Sequence, residues 1–587
     1  MRRNEGAGVV RRLILEPLED RILYSAEPVA TVAAVSEEFI NDDFTFEVNF
    51  DNAAPPPVLV GDPDNVGYAP FIDVTVQQGI TVNGATYLGT NATLTEIGTW
   101  DAVDNRWEDG DGNAITQHPY GAGLELPPGN AQGDTWYRVD LPFGSFTPDQ
   151  PVATVIFDAT LDESQGAQVA VPLEITAQGG FRFGNDPLNN PGIAPPRQQE
   201  DPDIFQITPT VMELHKELIA PESETATGPN FERQYRLVID IAEGQTIEDL
   251  NITDLLPDNI VLVGAPTITG GGSFTDSSSL AIGSPSNSNQ FDVTFDSVTG
   301  TSSGEDIVIE FTFYVPEFDA DGQPVLDPVN GADSIAFNEA EASGTYLPAV
   351  GAPMLVSDSG QPDNQVELQL EALTIQKSAA VVDNGTPGGT LASDYIDYTL
   401  DFQVSDYFSI DTLVITDVLS DGQRIDPGTP FTLTLVENGN PLSVDIDPAY
   451  IDITLLPGGE QQVVIRLSEF LVDQGLDGTL DGDQYDLDGA LGAGTARDGA
   501  GDGGTVGTIS YRAQILQNFD ETYPSGDQSV DLNDLLSNAV VITGRVAGTT
   551  NQVGDDSGTE TQIAPWESQK TIYAINGETA YADTQNS

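Results

Sequence analysis

Met212-Glu213-Leu214-His215-Lys216-Glu217-Leu218 and Leu373-Thr374-Ile375-Gln376-Lys377-Ser378-Ala379 read as two copies of one strand. Successive side chains of a strand face opposite sides of the sheet. Met212, Leu214, Lys216 and Leu218 therefore share an apolar face, and Val211, Glu213, His215 and Glu217 form a mostly polar one. In the second copy Leu373, Ile375, Lys377, Ala379 and Val381 line one side, with Thr374, Gln376 and Ser378 on the other. Each copy places a lysine on its buried side. A weaker third copy has Trp566, Ser568, Lys570, Ile572 and Ala574 as its inner row. These are the three lysines of a 587-residue chain in which 19 Lys and Arg face 94 Asp and Glu. A lysine kept against such a background is kept for its amine.

Two further residue types recur in step with the lysines. Leu250-Asn251-Ile252-Thr253-Asp254-Leu255-Leu256-Pro257-Asp258 matches Leu413-Val414-Ile415-Thr416-Asp417-Val418-Leu419-Ser420-Asp421, and each follows a tyrosine, Tyr235 or Tyr398, by the same interval. Residues 309–344 align without a gap to 509–544, which sets Asn338 over Asn538. Alternation turns Asp254 inward with Ile252 and Leu256, and Asp417 with Ile415 and Leu419. Asn338 joins Ala336, Ala340 and Ala342, and Asn538 joins Leu536, Val540 and Ile542. Lysine, aspartate and asparagine thus converge on the interior in both copies.

Burial raises the pKa of an aspartate and lowers that of a lysine, because low dielectric disfavours both charged forms. A neutral amine beside a carboxamide is a nucleophile, and a protonated aspartic acid polarises the carbonyl and shuttles protons to departing ammonia. The product is a Lys–Asn isopeptide bond, formed once per molecule, without a cofactor and without turnover on an external substrate. The same residues also suit a buried Lys–Asp ion pair whose hydrogen bonds an asparagine completes.

A lysine on the first strand, a tyrosine-bearing strand, an Ile-Thr-Asp segment and a late Asn-Ala strand resemble the isopeptide-forming, fimbrial-type and related conserved repeat domains of bacterial surface proteins. The resemblance covers about residues 205–550. It implies tandem Ig-like β-sandwiches and two triads, Lys216 with Asp254 and Asn338, and Lys377 with Asp417 and Asn538. Ser420 departs from the pattern set by Pro257. It also implies an extracellular, adhesin-like stalk on a bacterial cell surface. The N-terminal run Leu15-Glu16-Pro17-Leu18-Glu19-Asp20-Arg21-Ile22-Leu23-Tyr24-Ser25-Ala26 is similar to the LEPR-XLL motif of large bacterial surface proteins, with Leu18 in place of the motif's arginine. Arg11 and Arg12 interrupt the only apolar stretch there, so no ordinary signal peptide is expected.

Composition agrees with an all-β class. Runs rich in Val, Ile, Phe and Tyr alternate with Gly, Asp, Thr and Ser clusters, and 39% hydrophobic content supports packed cores. A formal net charge of -75 repels nucleic acid and anionic membrane alike, and no apolar run is long enough to span a bilayer. Without cysteine there are no disulfides and no thiolate zinc. The expected organisation is an export-associated segment over 1–35, a lysine-free β-sandwich over 36–200, repeats over 204–363 and 364–558, and the start of a further repeat over 559–587. The Pro- and Asn-rich run 185–202 reads as a linker, and the Gly- and Asp-rich run 475–507 as an exposed insertion. A truncated last repeat points to a longer gene product.

Weaker constellations complete the reading. Asp481, Asp483, Asp486 and Asp488, Asp109, Asp111 and Asn113, and Asp319 and Asp321 are oxygen-rich loops suited to weak calcium binding, but none has EF-hand spacing and solvated acidic loops are the simpler reading. His118 and His215 stand outside any nucleophile motif. Trp100, Trp107, Trp136 and Tyr137 form either a sugar-stacking platform or core and cross-strand pairs. The expected partners are neighbouring domains of the same chain, with a surface glycan or protein as external ligand. A glycan-binding or calcium-dependent adhesion module is the alternative function.

Overall fold

The computed structural model describes residues 26–564, apart from 55–64, 190–194, 221, 223, 257–259, 271–272, 275–278, 283–288, 320–321, 327–333, 361, 386–389, 438–439, 477, 482–504 and 522–525. The segment around Lys570 and the LEPR-XLL-like run up to Ser25 lie outside the described residues, as do Pro257, Asp258, Asp321, Asp483, Asp486 and Asp488. The chain is all-β and consists of tandem Ig-like sandwiches. Among the described residues, helix is confined to one α-helical segment, Leu467–Asp473, and a few single 3-10 turns.

In the second domain Met212–Ile219, Arg233–Ile241, Ile307–Tyr314 and Val261–Thr269 form one sheet in that order. Opposite it lie Asn289–Thr299, Thr246–Leu256 and Ser334–Tyr346, the last extended by Met354–Asp358 and Gln365–Leu370. The third domain repeats the plan. Leu373–Val382, Tyr395–Val404 and Thr505–Ile515 face Gln461–Arg466, Ser409–Leu419, Leu535–Val546 and Gln552–Gln562. In both, the lysine strand is a sheet edge, and the aspartate strand pairs with the asparagine strand in the facing sheet. Alternation sets the burial. Met212, Leu214 and Lys216 are buried, as are Leu373, Ile375 and Lys377. Three positions depart from the expected faces: Val381 is exposed, Thr374 is buried, and Val211 is buried at a domain junction.

The first domain has the same two-layer plan, with Pro28–Ala34, Asp43–Asn52, Ala153–Leu161 and Ile80–Tyr87 in one sheet and Leu173–Phe183, Gly67–Val76 and Thr135–Asp140 in the other. Pro28–Ala34 pairs along its whole length with the strand after it, so the sandwich begins before residue 36. At its other end Asp203–Thr210 pairs with Leu173–Phe183 and belongs to this domain. Arg197–Gln198 pairs with Gly180 and Phe181, so part of the run read as a linker lies on the first domain's sheet. Between the first two domains only Val211 intervenes, and between the second and third only Glu371 and Ala372.

A recurring clamp fastens the first strand of each domain to the last part of its facing sheet. Val32 N–H donates to the Asp203 carboxylate at 2.7 Å, Leu214 N–H to Asp358 at 2.7 Å, and Ile375 N–H to Asp555 at 2.6 Å. Leu214 and Ile375 each sit two residues before a lysine, and Val32 sits two before Ala34. By this equivalence the first domain has alanine where the others have lysine. Its interior there is aromatic: Phe46 stacks on Phe157 with centroids 4.7 Å apart.

Burial is the main cause that pushes Asp555 up to about 6 from 3.8, partly opposed by the Ile375 and Asp556 N–H groups. The folded state then holds a proton that the unfolded chain has released, so this contribution is complete below about 3.8 and disappears as pH rises through about 6. Thermal midpoints measured from pH 4 to 8 are expected to fall across that window, and Asp555→Asn, which keeps the acceptor for Ile375, is expected to flatten the decline. An unchanged pH dependence in that variant contradicts the assignment.

Candidate functional site

Lys216 and Lys377 project from edge strands into the space between their sheets, where both amines are sequestered from solvent. Lys216 Nζ donates to Asp254 Oδ2 at 2.5 Å, and Lys377 Nζ to Asp417 Oδ2 at 2.6 Å. Cross-strand pairing places Asp254 opposite Ala340 and Asp417 opposite Val540. Each asparagine, Asn338 or Asn538, lies two residues before that partner and on the same buried face. The two domains therefore present the same three residues in the same register. The structure brings Lys216 to Asp254 and Lys377 to Asp417, with Asn338 beside Asp254 and Asn538 joined to the Lys377–Asp417 pair through Tyr511.

A tyrosine floors each site. The Lys216 amine lies 4.5 Å from the Tyr235 ring centroid and the Lys377 amine 4.8 Å from that of Tyr398, within cation–π range. Desolvation dominates the electrostatics. It lowers both lysines to about 8, with the paired carboxylate pulling the other way. It raises Asp254 and Asp417 above the usual carboxylate range, with the lysine opposing. These shifts bring amine and carboxyl toward each other, so moving the proton from ammonium to carboxylate costs far less than in water.

The sites differ in one residue that the sequence reading passed over. Tyr511 donates a short hydrogen bond to Asp417 Oδ2, and its oxygen accepts from Lys377 Nζ at 3.0 Å and from Asn538 Nδ2 at 2.9 Å. Alignment of 309–344 with 509–544 sets Phe311 over Tyr511, so the signal was present in the residues already compared. The Asn338 carboxamide lies beside the Asp254 carboxylate and the Tyr235 hydroxyl but forms no hydrogen bond of good geometry with either. In the third domain the Tyr398 hydroxyl donates to Gln423 at 2.7 Å.

The aromatic group of the first domain is packed, not displayed. Trp107 and Trp136 are fully buried, their rings 5.8 Å apart, and Trp100 sits edge-on to Trp107. Trp136 Nε1 and His118 Nε2 both donate to Asp73 at 2.9 Å. His118 Nδ1 accepts the Tyr120 N–H, which fixes the proton on Nε2 and leaves no ring nitrogen for a nucleophile. The Asp109 carboxylate accepts N–H groups of Asp111 and Asn113 in its own turn. Asp101, Asp104 and Glu108 approach one another closely, with the Arg106 guanidinium paired to Asp104 and Glu108.

No protein-family model and no curated protein matches the sequence. Solved structures similar to this chain include the Enterococcus faecalis MSCRAMM ACE, described as binding its ligands by the collagen hug model, at 11% identity and TM-score 0.18, covering 60% of this chain and 95% of that one. BcpA, the major pilin subunit of Bacillus cereus, matches at 12% identity and TM-score 0.18 over 39% of this chain and 55% of its own. The full-length major pilin SpaD from Corynebacterium diphtheriae matches at 10% identity and TM-score 0.18 over 54% and 61%.

Asp73 is the shared acceptor of two buried donors, so Asp73→Ala leaves both unbonded. At about 1–3 kcal/mol for each stranded group, the first domain is expected to lose about 3 kcal/mol or more in urea denaturation followed by tryptophan fluorescence. A loss under about 1 kcal/mol would show that water takes over both bonds.

Proposed function

We propose that this chain is an extracellular structural protein of a bacterial cell surface, an adhesin-like stalk. Its second and third sandwiches are each sealed by an autocatalytic isopeptide bond, Lys216 to Asn338 and Lys377 to Asn538. The observation that carries the reading is the repetition, in two domains, of a solvent-excluded lysine paired to an aspartate with an asparagine at one fixed cross-strand offset. An ion pair alone does not require a buried amide at that position.

The chemistry follows from the proton balance. The lysine ammonium passes a proton to the aspartate, and the neutral amine attacks Cγ of the asparagine. The carboxylic acid formed polarises the carbonyl as the tetrahedral centre develops. Of the two protons the ammonium gives up, one remains on the aspartic acid and the other leaves with the asparagine nitrogen as ammonia. Asp254 and Asp417 are the shuttles, and the other four residues are consumed. No cofactor enters.

Mechanically, the bond joins an edge strand of one sheet to the central part of the other. Two short strands follow Ser334–Tyr346, and Gln552–Gln562 follows Leu535–Val546, so the tie runs from the first strand to the third from last in the second domain and to the penultimate one in the third. By analogy with disulfides, closing a loop of about 120 residues contributes about 5 kcal/mol. The junctions favour a stiff rod. Ser405 Oγ donates to Thr227 O at 2.6 Å, Asn230 N–H to Asp406 at 2.7 Å, and the Tyr407 hydroxyl to Val315 O at 2.7 Å.

The intact mass of the full chain is expected to fall short of the calculated value by two ammonia molecules, with Lys377→Ala restoring one and Asp254→Ala the other. A full calculated mass for the unaltered chain refutes the cross-links and leaves two buried ion pairs.

A further inference from the structure

The second and third domains share lysine, aspartate, asparagine and flooring tyrosine, and differ at the position occupied by Phe311 in one and Tyr511 in the other. Phe311 and Tyr511 belong to equivalent strands, Ile307–Tyr314 and Thr505–Ile515, which pair with the tyrosine-bearing strands Arg233–Ile241 and Tyr395–Val404. Both rings are buried and both point at the lysine amine, with centroids 5.7 Å and 5.4 Å from Nζ. The added hydroxyl of Tyr511 touches three of the groups of its site: the amine, the carboxylate and the leaving nitrogen. Where it is absent, no phenol links the carboxamide to the amine and carboxylate, and Asn338 lies beside Asp254 and Tyr235 without a hydrogen bond of good geometry.

We propose, on the footing of the cross-link reading above, that Tyr511 is a catalytic residue of the third domain that relays the proton needed by the leaving nitrogen of Asn538. Before reaction its hydroxyl donates to Asp417 and accepts from the amide N–H. Once Asp417 has taken a proton from Lys377 and polarised the carbonyl during addition, the carboxylic acid turns to the phenol oxygen, and the phenol proton turns toward the asparagine nitrogen. That nitrogen is an amide, and not basic, until the lysine amine adds to Cγ. In the tetrahedral intermediate it becomes an amine and accepts the proton, while Asp417 passes its own to the phenol oxygen. Collapse breaks the Cγ–N bond, releases ammonia and leaves Tyr511 protonated. The second proton from the attacking nitrogen returns to Asp417. Tyr511 thus ends unchanged, as a relay must. The second domain lacks the relay, so its proton must go directly from Asp254 to the asparagine nitrogen.

The full chain, synthesised in a cell-free reaction at neutral pH, sampled over time and mapped by peptide mass, reports each bond separately. The Lys377–Asn538 bond is expected to form faster than Lys216–Asn338. Tyr511→Phe is expected to slow the former by about tenfold or more with the latter unchanged, and Phe311→Tyr to accelerate the latter. A packing role for Tyr511 does not produce that gain in the other domain. Circular dichroism identifies any variant that fails to fold, in which case the remaining substitution decides alone. Unaltered rates in the folded variants, with both bonds formed in the parent chain, overturn the relay and leave the cross-links standing. Absence of both bonds from the parent chain overturns cross-links and relay together.

Discussion

Placing an ammonium and a carboxylate in the dry space between two sheets costs several kcal/mol for each ion unless the two meet. That constraint governs both repeat domains. Lys216 and Asp254 come from opposite sheets, as do Lys377 and Asp417, so the sandwich can close only in the register that brings them together. A one-residue slip of either strand turns the charged residue out and its apolar neighbours with it. Hydrophobic alternation and charge pairing select the same alignment, and two agreeing selections explain why the geometry is repeated so closely. The consequence for chemistry is direct. The desolvation that makes the pair costly is also what narrows the gap between the two pKa values.

The edge position of the lysine strand raises a second problem, since an edge leaves a row of unpaired N–H groups. Three carboxylates answer it, Asp203, Asp358 and Asp555, each from the far end of its own domain. In the third domain the Lys377 N–H is satisfied as well, by Ser557 Oγ at 2.8 Å, and that hydroxyl in turn donates to Glu222 of the second domain at 2.6 Å. The seal at the site is thus continuous with the junction between domains. An acidic surface suits this design, because carboxylates accept without offering donors to a neighbouring chain, and like charge keeps exposed edges apart.

Much of this was legible in the residues. The alternation around Lys216 and Lys377, the gap-free alignment carrying Asn338 onto Asn538, and the Ile-Thr-Asp segments name the strands and their inner faces without coordinates. The register between strands was not legible, since pairing across a sheet depends on contacts that no local pattern records. The domain limits shifted for the same reason. The run 185–202 read as a linker and the residues from 204 as the second domain, whereas Arg197–Gln198 and Asp203–Thr210 both pair with Leu173–Phe183 on the first domain's sheet. Tyr511 was missed because a phenylalanine-to-tyrosine change is silent to hydrophobic patterning, although it changes the hydrogen bonding at the site. The tryptophans were ambiguous until Asp73 and His118, distant in sequence, were seen to bury Trp136.

The first domain shows what the shared plan looks like without the charged centre. It keeps the two-layer topology and the carboxylate clamp, but has Ala34 at the lysine position and stacked phenylalanines inside. Its buried polar network is Asp73 with His118 and Trp136. The two-layer plan is therefore adopted with alanine at the lysine position, so the plan itself does not call for a lysine–aspartate pair there. Replacing buried ion pairs by apolar residues is commonly neutral or stabilising. Two such pairs, each with an amide at the same offset, are what the proposed cross-link accounts for and a purely structural ion pair does not call for.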